Sequence, residues 1–172
     1  MSAETVHLIR RSDEAIIEAH LVDGLKPSDL QLVEREWGPV RSQFAQHLLS
    51  RGIERRRWPE SLHWDWGKKA PELKLLEASG FGVVYGDRWQ GVMLTKTVSH
   101  AARLAVQRGK PLVYVDFLEA APWNWNVVAL ERQGELRGVG SLLFRKAVVQ
   151  SKEEGFRGRV GLHGLPQAHG FS

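Results

Sequence analysis

The segment from Leu112 to His163 constrains the fold most, because it has the pattern of a strand, a helix and a second strand. Leu112–Leu118 is a continuous apolar, β-prone run, typical of a central strand buried on both faces. Gly138–Glu154 has apolar residues at helical spacing and is followed by a glycine that stops the helix. Arg159–His163 predicts the second strand. Strands joined in this way are expected to be parallel, with a right-handed crossover.

The middle of the chain predicts a β-hairpin. Phe81–Tyr85 and Gly91–Thr95 are apolar, β-prone runs on either side of a turn at residues 86–88. Val98–Arg108 is an ambiguous connector with some helical character. A loop is expected after the central strand, from Ala120 to Glu135.

The first 80 residues have mainly helical patterns. Ser28 and Gln31 form the spacing of a capping box, and the helix that follows is expected to break at Gly38–Pro39. Further elements are expected here: an edge strand at Val6–Arg10, a helix from Ser12 to Gly24, and a short helix at Pro71–Ala78.

Composition excludes several classes of protein. The chain has 172 residues, of which 42% are hydrophobic and 26% charged, and this fits one globular domain. No run approaches the ~20 apolar residues of a membrane-spanning helix, and Met1–Arg10 lacks the apolar core of a signal peptide. We therefore expect a cytoplasmic protein with no membrane contact. The absence of cysteine excludes disulfides and a cysteine nucleophile.

The net charge of +4 is too small to indicate nucleic-acid binding by itself. Residues 55–57 are three consecutive arginines, which we interpret as a solvated face rather than a nucleic-acid contact. His163 and His169 have no third metal ligand at suitable spacing, so no metal site is expected.

Two glycines one residue apart, Gly138 and Gly140, open the predicted helix. The first turn of a helix has N–H groups without intrahelical acceptors and the positive end of the helix dipole. Glycines allow an anion to approach this backbone closely, and Arg137 adds a charge that binds phosphate. The sequence therefore predicts a pyrophosphate site. A tight structural turn is the alternative interpretation of the glycine pair.

Known phosphate-binding loops differ in how well they fit. A dinucleotide fold has a third glycine where Leu143 stands, and the lysine of a nucleotide P-loop is absent. The segment instead resembles the acetyl-CoA loop of the GNAT superfamily of N-acetyltransferases, Gln/Arg-x-x-Gly-x-Gly/Ala, with Glu135 in place of the Gln or Arg. Asp116–Asn124 and Gly161–Ala168 look like segments of an uncharacterised bacterial branch of that superfamily.

The resemblance covers residues 81–172 and implies an acyl-CoA N-acyltransferase-like fold. This is an α/β (α+β) fold with a mixed central β-sheet flanked by helices. It implies one domain over residues 1–172, mainly helical in 1–80 and strand-rich and cofactor-binding in 81–172. The implied cofactor is acetyl-CoA or another acyl-CoA. The residues expected to bind it are Phe117, Leu118, Leu136, Arg137, Gly138, Val139, Gly140 and Ser141.

Acetyl transfer to an amine needs a base for the amine proton and donors for the developing oxyanion. We call the segment around Gly138 and Gly140 the glycine loop. In the resembled family the donors are backbone N–H groups of the strand before this loop, here near Phe117–Glu119. Glu119 and Asp116 are the nearest carboxylates, and Glu119 is favoured because it ends the strand. A solvated strand-end carboxylate is the alternative. His163 is the second candidate base, or a hydrogen-bonded structural histidine.

The sequence ends at Ser172, where the resembled family has a tyrosine followed by two more strands. The sheet is therefore expected to be C-terminally short. Three explanations are open: another subunit supplies the missing surface, the N-terminal helices cap the sheet, or the chain is a truncated and impaired relative. We expect a homodimer, because the missing strands would expose a sheet edge. The acceptor is expected to be a small-molecule or peptide amine, for which Trp123 and Trp125 are candidate pocket or partner residues. The alternative function is a non-catalytic acyl-CoA-binding or interaction module.

Overall fold

The computed structural model describes residues 2–98 and 110–162. Its centre is a seven-stranded mixed sheet in the order β6-β1-β2-β3-β4-β5-β7. The strands are β1 (Ala3–Arg10), β2 (Ala15–Asp23), β3 (Ala78–Tyr85), β4 (Arg88–Val98), β5 (Leu112–Ala120), β6 (Leu136–Arg137) and β7 (Val160–Leu162). The helices are α1 (Pro27–Ser50), α2 (Trp66–Lys69) and α3 (Val139–Glu153). Short 3₁₀ turns connect α1 to β3 and β5 to β6.

The predicted strand–helix–strand unit is confirmed. β5 and β7 are parallel, with Val113 opposite Val160 and Val115 opposite Leu162, and α3 connects them. The hairpin of β3 and β4 is confirmed as well, with its turn at Gly86 and Asp87. The predicted helix between Ser12 and Gly24 is wrong, because this segment is strand β2, paired with β1.

The error at β2 has a simple physical cause. Ile17, Ala19 and Leu21 alternate with exposed neighbours, so every second side chain faces the core. Ile16 is a large apolar residue but is 73% exposed. Together with Ala15, Ala19 and Leu21 it gives an apolar pattern that also fits one broad face of a helix. The part of the chain before residue 80 thus combines two strands with its helices.

The long helix α1 also differs from expectation. It continues through Gly38 and Pro39 without a break. Its N-terminus lies two residues before the expected capping box, where the Lys26 N–H donates to the Asp29 carboxylate at 2.7 Å. The segment expected to form a helix at Pro71–Ala78 is a 3₁₀ turn that leads into β3.

Two cores lie on opposite faces of the sheet. The α3 face buries Leu143 and Ala147 of α3 against strand residues such as Met93 and Val115. The α1 face buries Leu30, Val33, Trp37, Trp66, Val92, Leu94 and Trp123. Strands β4 and β5 therefore send side chains into two different cores, and the two faces of β5 have different chemical surroundings.

The expected connector at 98–108 has Val98 at the end of β4, and its remainder lies outside the described residues. His163 and the segment that follows it also lie outside them. Within residues 2–98 and 110–162, no helix is long and apolar enough to cross a membrane.

Candidate functional site

The glycine loop lies at the C-terminal end of β5, where Ala120 is paired with Gly91 of β4. A Cβ atom added to Gly91 would lie 2.3 Å from Cγ1 of Val139, so the start of α3 packs directly on the end of these strands. Gly138 has φ +103°, a left-handed conformation that glycine adopts without strain. This glycine thus directs the chain from β6 into α3.

The backbone of the first turn of α3 suits an anion. The first hydrogen bond of the turn joins the Leu142 N–H to the Gly138 carbonyl at 3.0 Å. The N–H groups before it are those that a helix leaves without intrahelical acceptors. Val139 and Gly140 are buried, and Gly138 and Ser141 are partly exposed at the opening of the turn.

Leu136, a predicted cofactor-binding residue, lies in the buried start of the glycine loop. Its side chain belongs to the core of the α3 face, and its N–H donates to Oδ1 of Asn124 at 3.0 Å. Asn124 also donates to Gln90, and Trp123 donates to the same Gln90 side chain at 2.8 Å. These buried polar contacts hold the loop in place. Trp123, a predicted pocket or partner residue, is only 4% exposed and packs in the core of the α1 face.

Two arginines meet beside the glycine loop. Arg137 is exposed on β6. Burial lowers the pKa of the Arg11 guanidinium, and the positive charge of nearby Arg137 lowers it further. The Nε atom of Arg11 is buried without a hydrogen-bond partner among the described residues. Neither Arg11 nor Arg137 forms an ion pair with any of the described residues. Two close, unpaired cations at a helix N-terminus favour a phosphate ligand.

No sequence motif points to Arg11, because it lies in the turn after β1, far from the glycine loop in sequence. The backbone of Arg11 is joined to the segment before the glycine loop by a hydrogen bond, in which the Arg11 N–H donates to the Glu135 carbonyl at 2.9 Å. The Glu135 carboxylate pairs with Arg88 at 3.1 Å. The negative charge that departs from the acetyl-CoA loop pattern is therefore compensated locally.

On its β7 side, strand β5 has no strand partner beyond Val115 among the described residues. β7 pairs only with Val113, Tyr114 and Val115 among the described residues. The register with β4 shifts between Leu94 and Thr95, so Asp116 forms a bulge in β5. Backbone groups after the bulge therefore have no described strand partner on the β7 side.

Phe117 and Leu118 point to opposite faces of the sheet after this bulge. Leu118 enters the core of the α3 face, whereas Phe117 packs against the core of the α1 face. The Phe117 ring is edge-on to Trp64 and Trp66, with centroids 5.5 and 6.3 Å away. Asp116 is paired with Lys96 at 3.0 Å.

Glu119 belongs to a buried charge cluster rather than to the solvated end of a strand. Its Oε1 atom accepts from Nη2 of Arg41 at 2.5 Å and from Nε1 of Trp66 at 2.7 Å. Arg41 also donates to Glu34 at 2.6 Å, and Glu34 accepts from the Trp66 N–H at 2.9 Å. We call Glu34, Arg41, Trp66 and Glu119 the buried charge cluster.

The electrostatics of Glu119 reflect its burial. Burial raises the pKa of this carboxyl, while Arg41 opposes the shift. The Ser61 hydroxyl also favours the ionised form, yet Oε2 has no hydrogen-bond partner of normal geometry among the described residues. The side chain is 2% exposed. Glu119 thus keeps one oxygen able to accept a proton in a nearly dry environment.

No group of three or more metal-binding side chains is present in the described ranges 2–98 and 110–162. The other candidate base, His163, lies outside them. Residues 55–57 are exposed, as predicted for a solvated arginine face.

No family model and no curated protein matches the chain. Solved structures do match. A GCN5-related N-acetyltransferase from Ralstonia eutropha JMP134 is 16% identical, with 88% of this chain and 86% of that chain covered at a TM-score of 0.52. A variant of the BH1408 protein from Bacillus halodurans is 14% identical, with 87% and 85% covered at the same TM-score, 0.52. With its mixed sheet and parallel β5–α3–β7 unit, the chain has the GCN5-related N-acetyltransferase fold that its sequence predicted.

Proposed function

We propose that the protein transfers an acetyl or other acyl group from acyl-CoA to an amine. The observation that supports this most is the glycine-led start of α3 at the end of β5, flanked by Arg11 and Arg137, neither of which has an ion pair among the described residues. This arrangement offers N–H groups, a helix dipole and two cations to one anion, which suits a pyrophosphate. The fold supports the same assignment.

In this proposal, each part of the site has one task. The pyrophosphate binds the first turn of α3, from Gly138 to Ser141, together with Arg137 and Arg11. The backbone N–H groups of Phe117–Glu119, in the part of β5 that has no described partner on the β7 side, would hold the thioester of the bound acyl-CoA. These groups would stabilise the oxyanion that forms when the amine attacks.

Glu119 is the proposed general base. Burial raises its pKa. The carboxylate is therefore a stronger base than an exposed glutamate, which favours proton transfer from the attacking amine. Arg41 positions the carboxylate through Oε1, which leaves Oε2 for the proton. His163 remains the second proposed base.

A non-catalytic acyl-CoA-binding or interaction module is the second candidate. The near-complete burial of Glu119 favours it, because a sealed carboxylate acts as a base only where an acceptor or a water molecule reaches it. In that case the buried charge cluster would have a structural role, and the glycine loop would still bind the cofactor.

The acceptor is proposed to be a small-molecule or peptide amine, and a homodimer is proposed as the assembly. Strand β1 supports a second copy, because β6 covers only its Ile9 and Arg10 positions among the described residues. A free strand edge is a surface on which another chain can pair. Light scattering that shows a monomer at high concentration would contradict the homodimer.

The experiment combines binding with turnover. A ligand that binds only the folded state raises its stability, by about 2.7 kcal/mol at a hundredfold excess over Kd. We expect CoA to raise the melting temperature, and acetyl-CoA with a panel of amines to release free thiol. Stabilisation by CoA without thiol release for any amine would support the non-catalytic module. No stabilisation by CoA would contradict both candidates.

A further inference from the structure

Lys69, the last residue of α2, has an unusual position for a lysine. Its Nζ atom lies 3.9 Å from the centroid of the Phe117 ring and 5.2 Å from that of Trp64. Within the described residues it has no ion pair with a carboxylate. The amine is therefore held against aromatic rings rather than in a salt bridge, and the side chain is only partly exposed.

This position is on the α1 face of β5, next to the bulge at Asp116. Phe117 is the first residue after the bulge, in the part of β5 that has no described strand partner on the β7 side. Its backbone is part of the proposed thioester site. Lys69 thus places a primary amine on the α1 face of β5, beside the proposed thioester site, with Glu119 of the buried charge cluster close enough to affect its charge.

The surroundings also favour the reactive form of the amine. Burial lowers the pKa of Lys69, and Arg41 acts in the same direction. Three carboxylates, Glu119, Asp65 and Asp116, oppose the shift. The balance lowers the pKa, so the neutral amine that attacks a thioester is more populated here than in an exposed lysine.

We propose that Lys69 is an acyl acceptor for the protein's own bound acyl-CoA, so that the chain acetylates itself at this residue. The inference rests on the proposed function. The neutral Nζ attacks the thioester carbonyl, the C–N bond forms and the C–S bond breaks. The amine gives up one proton, and CoA leaves as thiolate or, after protonation, as thiol.

Self-acetylation would change the charge of the site. Lys69 lies close enough to Arg41 and Glu119 to interact with both electrostatically, and its ammonium form carries one positive charge. An acetylated Lys69 is neutral, so the modification removes that charge. The modification therefore gives the protein a way to alter the electrostatics beside Glu119.

The test is mass spectrometry of the full chain incubated with acetyl-CoA, followed by peptide mapping. The neighbouring Lys68 is exposed and serves as the internal control. Because Lys69 is held near the reacting group, it should be acetylated more than about tenfold faster than Lys68. The rate should not depend on protein concentration, and Lys69→Arg, which keeps the cation, should remove the modification.

A second arm separates site-directed transfer from chemical acetylation. Excess CoA should suppress modification of Lys69 by acetyl-CoA but not by acetyl phosphate, which needs no cofactor site. CoA binding with no faster acetylation of Lys69 than of Lys68 overturns this inference and leaves the proposed cofactor site standing. Modification that excess CoA does not suppress overturns it as well. Absence of CoA binding overturns the proposed function, and this inference with it.

Discussion

Nη2 of Arg41 lies 2.5 Å from Oε1 of Glu119, and both side chains are almost completely buried. The same guanidinium reaches Glu34 with Nη1, so a single cation connects α1 to the end of β5 through two carboxylates. Burial of such a group is costly unless its charges are paired. The proposed base is therefore held by an interaction on which the fold itself depends.

Replacement of Arg41 by Met should strongly destabilise the protein. It leaves Glu119 buried without its cation, and removal of one partner of a buried pair typically costs about 3–5 kcal/mol. Arg10→Met is the matched control, since Arg10 pairs with Asp13 on the surface and should matter little. Urea unfolding measures both variants. Equal stabilities for the two would contradict the structural importance of the buried charge cluster.

The pH dependence of stability should show the raised pKa of Glu119. The folded state binds the Glu119 proton more tightly than the unfolded state does. Its contribution to stability is therefore present at low pH and is lost as pH rises from 4.5, the ordinary value, through the folded pKa. The free energy of unfolding of the wild type, minus that of Glu119→Gln, should fall over this range. A difference that rises with pH would show that Arg41 outweighs burial.

Substitution of Glu119 by Gln should lower the rate of acyl transfer with little change in CoA affinity. Loss of a general base typically costs about 10²–10⁴-fold in rate. Asp116→Asn is the control, because this second carboxylate near the bulge is paired with Lys96. Thiol release and CoA titration should be measured on each variant. A full rate in Glu119→Gln would transfer the proposed role to His163 or to a bound water.

Arg11 should contribute to cofactor affinity although it is remote from the loop in sequence. Its buried Nε has no hydrogen-bond partner in the described part of the chain, and together with the closeness of Arg137 this indicates a place for an anion. Arg11→Met should weaken CoA binding by about tenfold or more, since hydrogen bonds to charged groups contribute about 1.5–3 kcal/mol. Arg88→Met is the comparison, as Arg88 is already paired with Glu135. Equal affinity in Arg11→Met and the wild type would remove Arg11 from the site.

The parts of the fold that the sequence predicted are those with strong local signals. The apolar run of β5 and the glycine start of α3 depend on neighbours in the chain, and both were found as expected. Strand β2 differs from the predicted helix because the exposed Ile16 is apolar and interrupts the alternation of apolar and polar residues along the strand. Glu119 was placed correctly at the end of its strand, but its burial depends on Arg41, a partner 78 residues away in the sequence.

Calorimetric titration of CoA into three proteins tests the central claim most directly. Gly138→Val places a side chain at φ +103° in the path of the anion, whereas Gly155→Val imposes a similar strain at φ +80° after the other end of α3, where the added Cβ meets nothing within 4 Å. We expect the wild type and Gly155→Val to bind CoA alike and Gly138→Val to lose at least about tenfold in affinity. A folded Gly138→Val that binds CoA as tightly as Gly155→Val would contradict a cofactor site at the start of α3.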